Sequence, residues 1–186
     1  QTILLNIQSD HLDYHKTYKK YIDAKLSITE LNNKHPTIIF FDKIKDLLES
    51  LSSSQKKQLS KSTFLSANDA SAMFKYSVDY KLDEPSKINL DFPKITLSTH
   101  CSLFLKFNIE NYISAIALVS KHISSTDLDA FDNTSIKLPQ GRGEVLKLKQ
   151  GKILIDFAHD HLSTFNILSE LANSYNEIIV VFGCGG

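Results

Sequence analysis

The spacing of apolar residues shifts between two periods along the chain, and each shift marks an element. Thr2 to Ile7 is an apolar run of strand length that stops at a polar cluster, Ser9-Asp10-His11-Leu12-Asp13-Tyr14-His15. Tyr18, Tyr21, Ile22, Lys25, Leu26, Ile28 and Thr29 then recur at helical spacing, which predicts a helix from Thr17 to about Asn32 with Thr17 as its N-cap. After Pro36, Thr37 to Phe41 is a continuous apolar run, the mark of a strand buried on both faces of a parallel sheet. Lys43 to Leu51 reads as an amphipathic helix through Ile44, Leu47, Leu48 and Leu51, Ser52 to Ser62 as a polar loop or short exposed helix, and Thr63 to Ser66 as a strand. Asn68-Asp69 after it is read as a helix cap.

From Phe74 to Lys106 the period falls to two. Tyr76 to Tyr80, Ile88 to Phe92, Ile95 to Leu97 and Leu103 to Leu105 alternate apolar and polar, which predicts an antiparallel meander with one wet face. Helical spacing returns from Phe107 to Val119 and again, briefly, from Ser125 to about Phe131. Leu138-Pro139-Gln140-Gly141-Arg142-Gly143-Glu144 interrupts the pattern with a proline and two glycines, so a domain boundary is placed there, giving regions 1–138 and 139–186. Beyond it lie two strands, Val145 to Leu148 and a buried Ile153 to Asp156. A helix follows with Leu162, Phe165, Leu168, Leu171 and Ala172 on one side, then a parallel strand over Glu177 to Phe182. Gln1 stands at the start of a strand with no preceding turn and Gly183-Cys184-Gly185-Gly186 stops in a turn, so the sequence is expected to be a piece of a longer protein.

Composition narrows the function classes. With 42% hydrophobic residues the 186-residue chain has enough apolar surface for a core. Its 21 basic and 21 acidic residues balance, so charge points neither to nucleic acid nor to a membrane surface. No apolar run approaches the roughly 18 residues of a membrane span, and the cytoplasm is the expected location. Cys101 and Cys184 are too far apart in sequence to suggest a zinc site, and each reads as a small buried hydrophobe.

The candidate chemistry sits where strands end. Two imidazoles and two carboxylates in the cluster after the first strand suit a hard divalent cation or a metal-bound phosphate, and equally a polar loop that caps a helix. Lys25, fourteen residues after His11, is on these grounds a solvated helical lysine. Asn111, in the first turn of its helix, suits either backbone capping or ligand binding. Arg142 is suited to phosphate because its planar fork neutralises phosphate oxygens without losing its proton. Asp156, at a strand's carboxyl end, is suited to hydroxyls.

Five motifs in order, DHLDYH, Ala24-Lys25, Phe107-Asn108-x-x-Asn111, Gly141-Arg142-x-Glu144 and Asp156-x-Ala158-His159, resemble the Mur ligase family. They are most similar to the ligases that add the third residue of the peptidoglycan stem peptide. The resemblance implies an α/β fold: the later part of a P-loop-type central domain, with a mainly parallel sheet and a small antiparallel one, then the start of a Rossmann-like C-terminal domain. It implies ATP and Mg2+ as cofactors, with His11 and a carbamylated Lys25 at the metal and Asn111, Arg142, Asp156 and His159 at the nucleotide. The implied substrates are a UDP-N-acetylmuramoyl-dipeptide and an amino acid, diaminopimelate or lysine, joined through an acyl phosphate by a monomer. Gln140, Gly143, Phe157, Asp160 and His161 depart from the family pattern. Another ligase of the superfamily, of the folylpolyglutamate or cyanophycin synthetase type, a catalytically degenerate homologue and a stand-alone α/β module remain as alternatives.

Overall fold

The computed structural model describes residues 2–8, 12–30 and 36–183. Six strands form one sheet in chain order: β1 (Ile3–Leu4), β2 (Ile38–Phe40), β3 (Thr63–Ser66), β4 (Phe74–Asp79), β5 (Ser86–Phe92) and β6 (Ile95–Cys101). The first four run parallel, and β4, β5 and β6 continue as the antiparallel meander. Parallel neighbours normally need a crossover of a dozen or more residues. The 67–73 link between β3 and β4 is shorter because only two residue pairs overlap, Leu65 with Phe74 and Ser66 with Lys75. Asn68-Asp69 falls in this link and caps no helix: the Asp69 carboxylate accepts from the Ser71 N–H at 2.8 Å, forming an Asx turn.

The alternation of β2 divides the core. Ile38 and Phe40 face a cluster with Leu65, Ile88 and Leu97 under helix α5 (Lys106–Val119), which contributes Ile109, Ile113, Ile116 and Ala117. Ile39 faces the opposite cluster with Leu4, Tyr21, Ile22, Leu26 and Leu59. These last side chains come from helices α2 (Tyr18–Leu26) and α4 (Ser53–Leu59). A four-residue helix α1 (Leu12–His15) precedes α2, whose N-cap is Thr17, accepting from the Lys20 N–H. The helix expected to reach Asn32 ends at Leu26 and tightens to a 3-10 turn over Ser27–Glu30; residues 31–35 lie outside the described residues. Likewise the Lys43 to Leu51 segment is a short α3 (Phe41–Ile44) followed by a 3-10 turn, Lys45–Ser50. The segment read as polar is a capped helix held down by Gln55, whose amide donates to Asp23 at 2.6 Å. Leu103 to Leu105 is not a strand but the approach to α5, with Leu105 buried at φ +69°.

After α6 (Ser125–Ala130) the chain crosses the glycine strap into a hairpin, β7 (Glu144–Leu148) paired antiparallel with β8 (Gly151–Ile155), then α7 (His161–Ala172). Here two expectations fail. β8 is neither buried nor in a parallel sheet: Ile153 and Ile155 are exposed. Glu177 to Phe182 forms no ladder, and Ile179 and Val181 are 84% and 93% exposed. A strand exists only through pairing, and among the described residues no neighbour receives this one. The region is held instead by a small apolar seam, Ile167 and Leu171 of α7 against Leu82 and Leu105.

Candidate functional site

A cavity of about 870 Å³ opens beyond the carboxyl ends of β1 and β2, where open α/β sheets hold their ligands. Its walls come from four places: Asn6 and Gln8 after β1, Phe40 at the end of β2 with Lys43 of α3, the first two turns of α5, and the strap and α7 beyond it. Asn111, Arg142, Asp156 and His159, far apart in sequence, all line it.

Backbone geometry sets their directions. Gly141 and Gly143 lie at φ +73° and +65°, in the left-handed region that glycine enters without penalty. Between them the exposed Arg142 guanidinium stacks over the Phe157 ring, 4.4 Å from its centroid. Asp156 accepts two backbone N–H groups at 2.8 Å, Gly143 on Oδ2 and Ala158 on Oδ1. Glu144 accepts from the Gly141 N–H at 3.0 Å, closing the strap on itself. His159 donates from Nδ1 to the Phe157 carbonyl at 3.2 Å, leaving Nε2 free for another partner.

The departure at Asp160 has a structural account. The side chain is the N-cap of α7, taking the Ser163 N–H at 2.8 Å and the Ser163 hydroxyl at 2.7 Å. Those bonds, the backbone one first, hold its carboxyl below the usual range, with the nearby His159 adding to the effect. An aspartate cap thus starts the helix, with His161 as its first residue.

One described candidate is not in this cavity wall. Lys25 is exposed on α2 with its Nζ 5.4 Å from the Tyr21 ring centroid. Tyr21 stacks on Tyr18 and meets the His15 ring edge-on. His11 lies outside the described residues.

Sequence reasoning missed other wall residues. Lys43 and Glu110 form an ion pair at 2.7 Å with side-chain exposures of 39% and 8%. Glu170 of α7 accepts from the Lys106 N–H at 2.7 Å and from the Tyr80 hydroxyl, so it caps α5, which has no N-cap side chain of its own. Burial, then the Glu170 hydrogen bond and charge, push the Tyr80 hydroxyl well above its ordinary value. Both contacts join residues more than 60 positions apart, which no local pattern reports. Asn108 did have a signal, as the other asparagine of its motif. Cys101 is buried as expected, and burial raises its thiol.

Comparison with known proteins agrees with this fold. The family model described as Mur ligase middle domain matches residues 2–119. UDP-N-acetylmuramoyl-L-alanyl-D-glutamate--2,6-diaminopimelate ligase of Chlamydia felis is 30% identical over 99% of the chain, which spans 38% of that protein. UDP-N-acetylmuramoylalanine--D-glutamate ligase of Leptospira interrogans is 34% identical over 92% of the chain and 34% of its own length. Among solved structures, MurF ligase from Thermotoga maritima in complex with ADP shares the fold, with a TM-score of 0.67 at 16% identity over 92% of this chain and 38% of that one. The α/β sheet, the order of its elements and the matched residues have one conclusion: this chain belongs to the Mur ligase family.

Proposed function

We propose that the protein carrying this chain is an ATP-dependent ligase of peptidoglycan synthesis. It adds diaminopimelate or lysine to UDP-N-acetylmuramoyl-L-alanyl-D-glutamate, as a cytoplasmic monomer. The observation that carries this reading is the gathering of Asn111, Arg142, Asp156 and His159 around one cavity at the strand ends. Its volume of about 870 Å³ suits a nucleotide-sized ligand. Among the described residues no helix is long and apolar enough to cross a membrane.

In this reading Arg142 meets the phosphates, held in a fixed direction by the Phe157 ring. Asn111 and Asp156 take the nucleoside, since the Asp156 oxygens, each holding one N–H, keep lone pairs for ribose hydroxyls. His159, with Nδ1 engaged, offers Nε2. His11 and Lys25 serve the metal: a lysine ammonium cannot ligate a cation, but its carbamate is an anion that can, and the exposed Lys25 leaves space for carbon dioxide to add to the deprotonated Nζ, which releases a further proton to water as the N–C bond forms. Bound ATP with Mg2+ would supply the phosphoryl group and neutralise its charge. A carboxylate oxygen of the muramoyl dipeptide takes the γ-phosphoryl group as ADP leaves. The amino group of the incoming amino acid then attacks the acyl carbon, losing a proton as phosphate departs.

Phosphate release by the full-length protein tests this, with ATP, Mg2+, UDP-N-acetylmuramoyl-L-alanyl-D-glutamate and either diaminopimelate or lysine. Release that depends on one of the two is the expected result. The similarity to a D-glutamate ligase motivates a second reading. Release that instead requires UDP-N-acetylmuramoyl-L-alanine and D-glutamate would replace the first with the second.

A further inference from the structure

We infer that Asn108 and Gly143 are positioning residues that together aim Arg142 and Asp156 into the cavity. This inference rests on the nucleotide reading above and adds residues to it. The Asn108 side chain is buried in the first turn of α5 and donates from Nδ2 to the Phe104 carbonyl at 2.9 Å. Gly143 lies directly on that amide: a Cβ there would be 2.7 Å from Asn108 Nδ2 and 3.3 Å from Leu138 Cδ1. The close approach and the φ of +65° both favour glycine over any residue with a Cβ.

What Gly143 does with this position links the two nucleotide contacts. Its N–H holds Asp156 Oδ2 at 2.8 Å, and Ala158 holds the other oxygen, so the carboxylate is fixed by bonds from both sides. The residue immediately before it is Arg142, whose guanidinium lies on Phe157, immediately after Asp156. Asn108 thus acts as the plate on which the strap rests. A side chain at position 143 would press on the Asn108 amide and Leu138, lift the strap from α5, break the bond to Asp156 and turn Arg142.

The test is ADP affinity of the folded full-length protein. Gly143→Ala weakens it by roughly tenfold, from the left-handed backbone and the clash together. Adding Asn108→Ala to that variant removes the clashing amide and restores part of the loss. A merely structural role would lower stability in both variants without this rescue of affinity. Should Gly143→Ala not fold, Asn108→Leu alone weakens ADP binding and speeds amide exchange at Gly143 and Ala158. Wild-type affinity in folded Gly143→Ala or Asn108→Leu would overturn the inference. If the wild-type protein binds no ADP, the nucleotide reading fails by itself. Amide exchange at residues 143 and 158 still decides the positioning claim: faster exchange in Asn108→Leu supports it, and unchanged exchange refutes it.

Discussion

The two regions on either side of the strap solve the same problem differently. In the first, every residue of β2 is buried, and apolar side chains on both sheet faces meet a helix or a neighbouring strand. In the second, among the described residues, a hairpin with exposed isoleucines is followed by an apolar segment in no ladder, and one seam on α7 is covered. Identical sequence signals, short runs of branched apolar residues, therefore have different outcomes. A strand is fixed by its partners, and the second region's described residues supply too few.

The contrast is broken or sharpened by substitution. Ile113→Ala, in the fully buried face of α5, costs about 2–5 kcal/mol, whereas Ile179→Ala at 84% exposure stays within about 0.5 kcal/mol in this chain; urea unfolding reads both. Equal losses would show that the second region is packed as well as the first. Next, Lys43→Met strands the buried Glu110 carboxylate and costs about 2–4 kcal/mol, a value reduced by the partial exposure of Lys43. The Lys43→Met/Glu110→Met pair recovers most of it, which a double-mutant cycle measures.

Contacts between the regions come third. Glu170→Ala removes the cap on α5 and the Tyr80 bond, at a cost of about 1–2 kcal/mol in thermal unfolding. The same junction responds to pH. Because the folded Tyr80 hydroxyl ionises at higher pH than an unfolded tyrosine, at about 10, its contribution is fully present below that pH and is lost as pH rises beyond it. Tyr80→Phe flattens this alkaline decline in melting temperature. On the other edge of the seam, Asp83 accepts from Lys152 and from the Tyr175 hydroxyl. Partial burial pushes its carboxyl up, but those bonds outweigh it and hold it below the ordinary value. The smallest expected effect is Thr17→Ala, about 1 kcal/mol from loss of the α2 cap, seen as fraying of the helix that carries Lys25.

Legibility followed the range of the interaction that fixes each feature. The cap at Thr17, the alternation of β4, β5 and β6, and the glycine strap are local and were readable from residues a few positions apart. The Asp69 turn and the early end of α2 were misread because the same polar residues suit several local structures. Glu177 to Phe182 was misread because periodicity reports burial potential and not a partner. Of the residues that line the cavity, Asn111, Arg142, Asp156 and His159 were singled out through ordered motifs, which also implied His11 and Lys25. Lys43, Glu110 and Glu170 were missed, since their pairings arise only when α5 meets α3 and α7. Asp160, legible only as a departure, is explained by the cap it makes.

The central claim is that the cavity between the two regions holds the nucleotide. Hydrogen exchange across the full-length protein, with and without ADP and Mg2+, tests it most directly. The account predicts that protection concentrates on residues 108–111, 141–144 and 156–159 and is absent from them in Arg142→Ala at the same ADP concentration. Protection that spares all three segments, in a protein that demonstrably binds ADP, would contradict it.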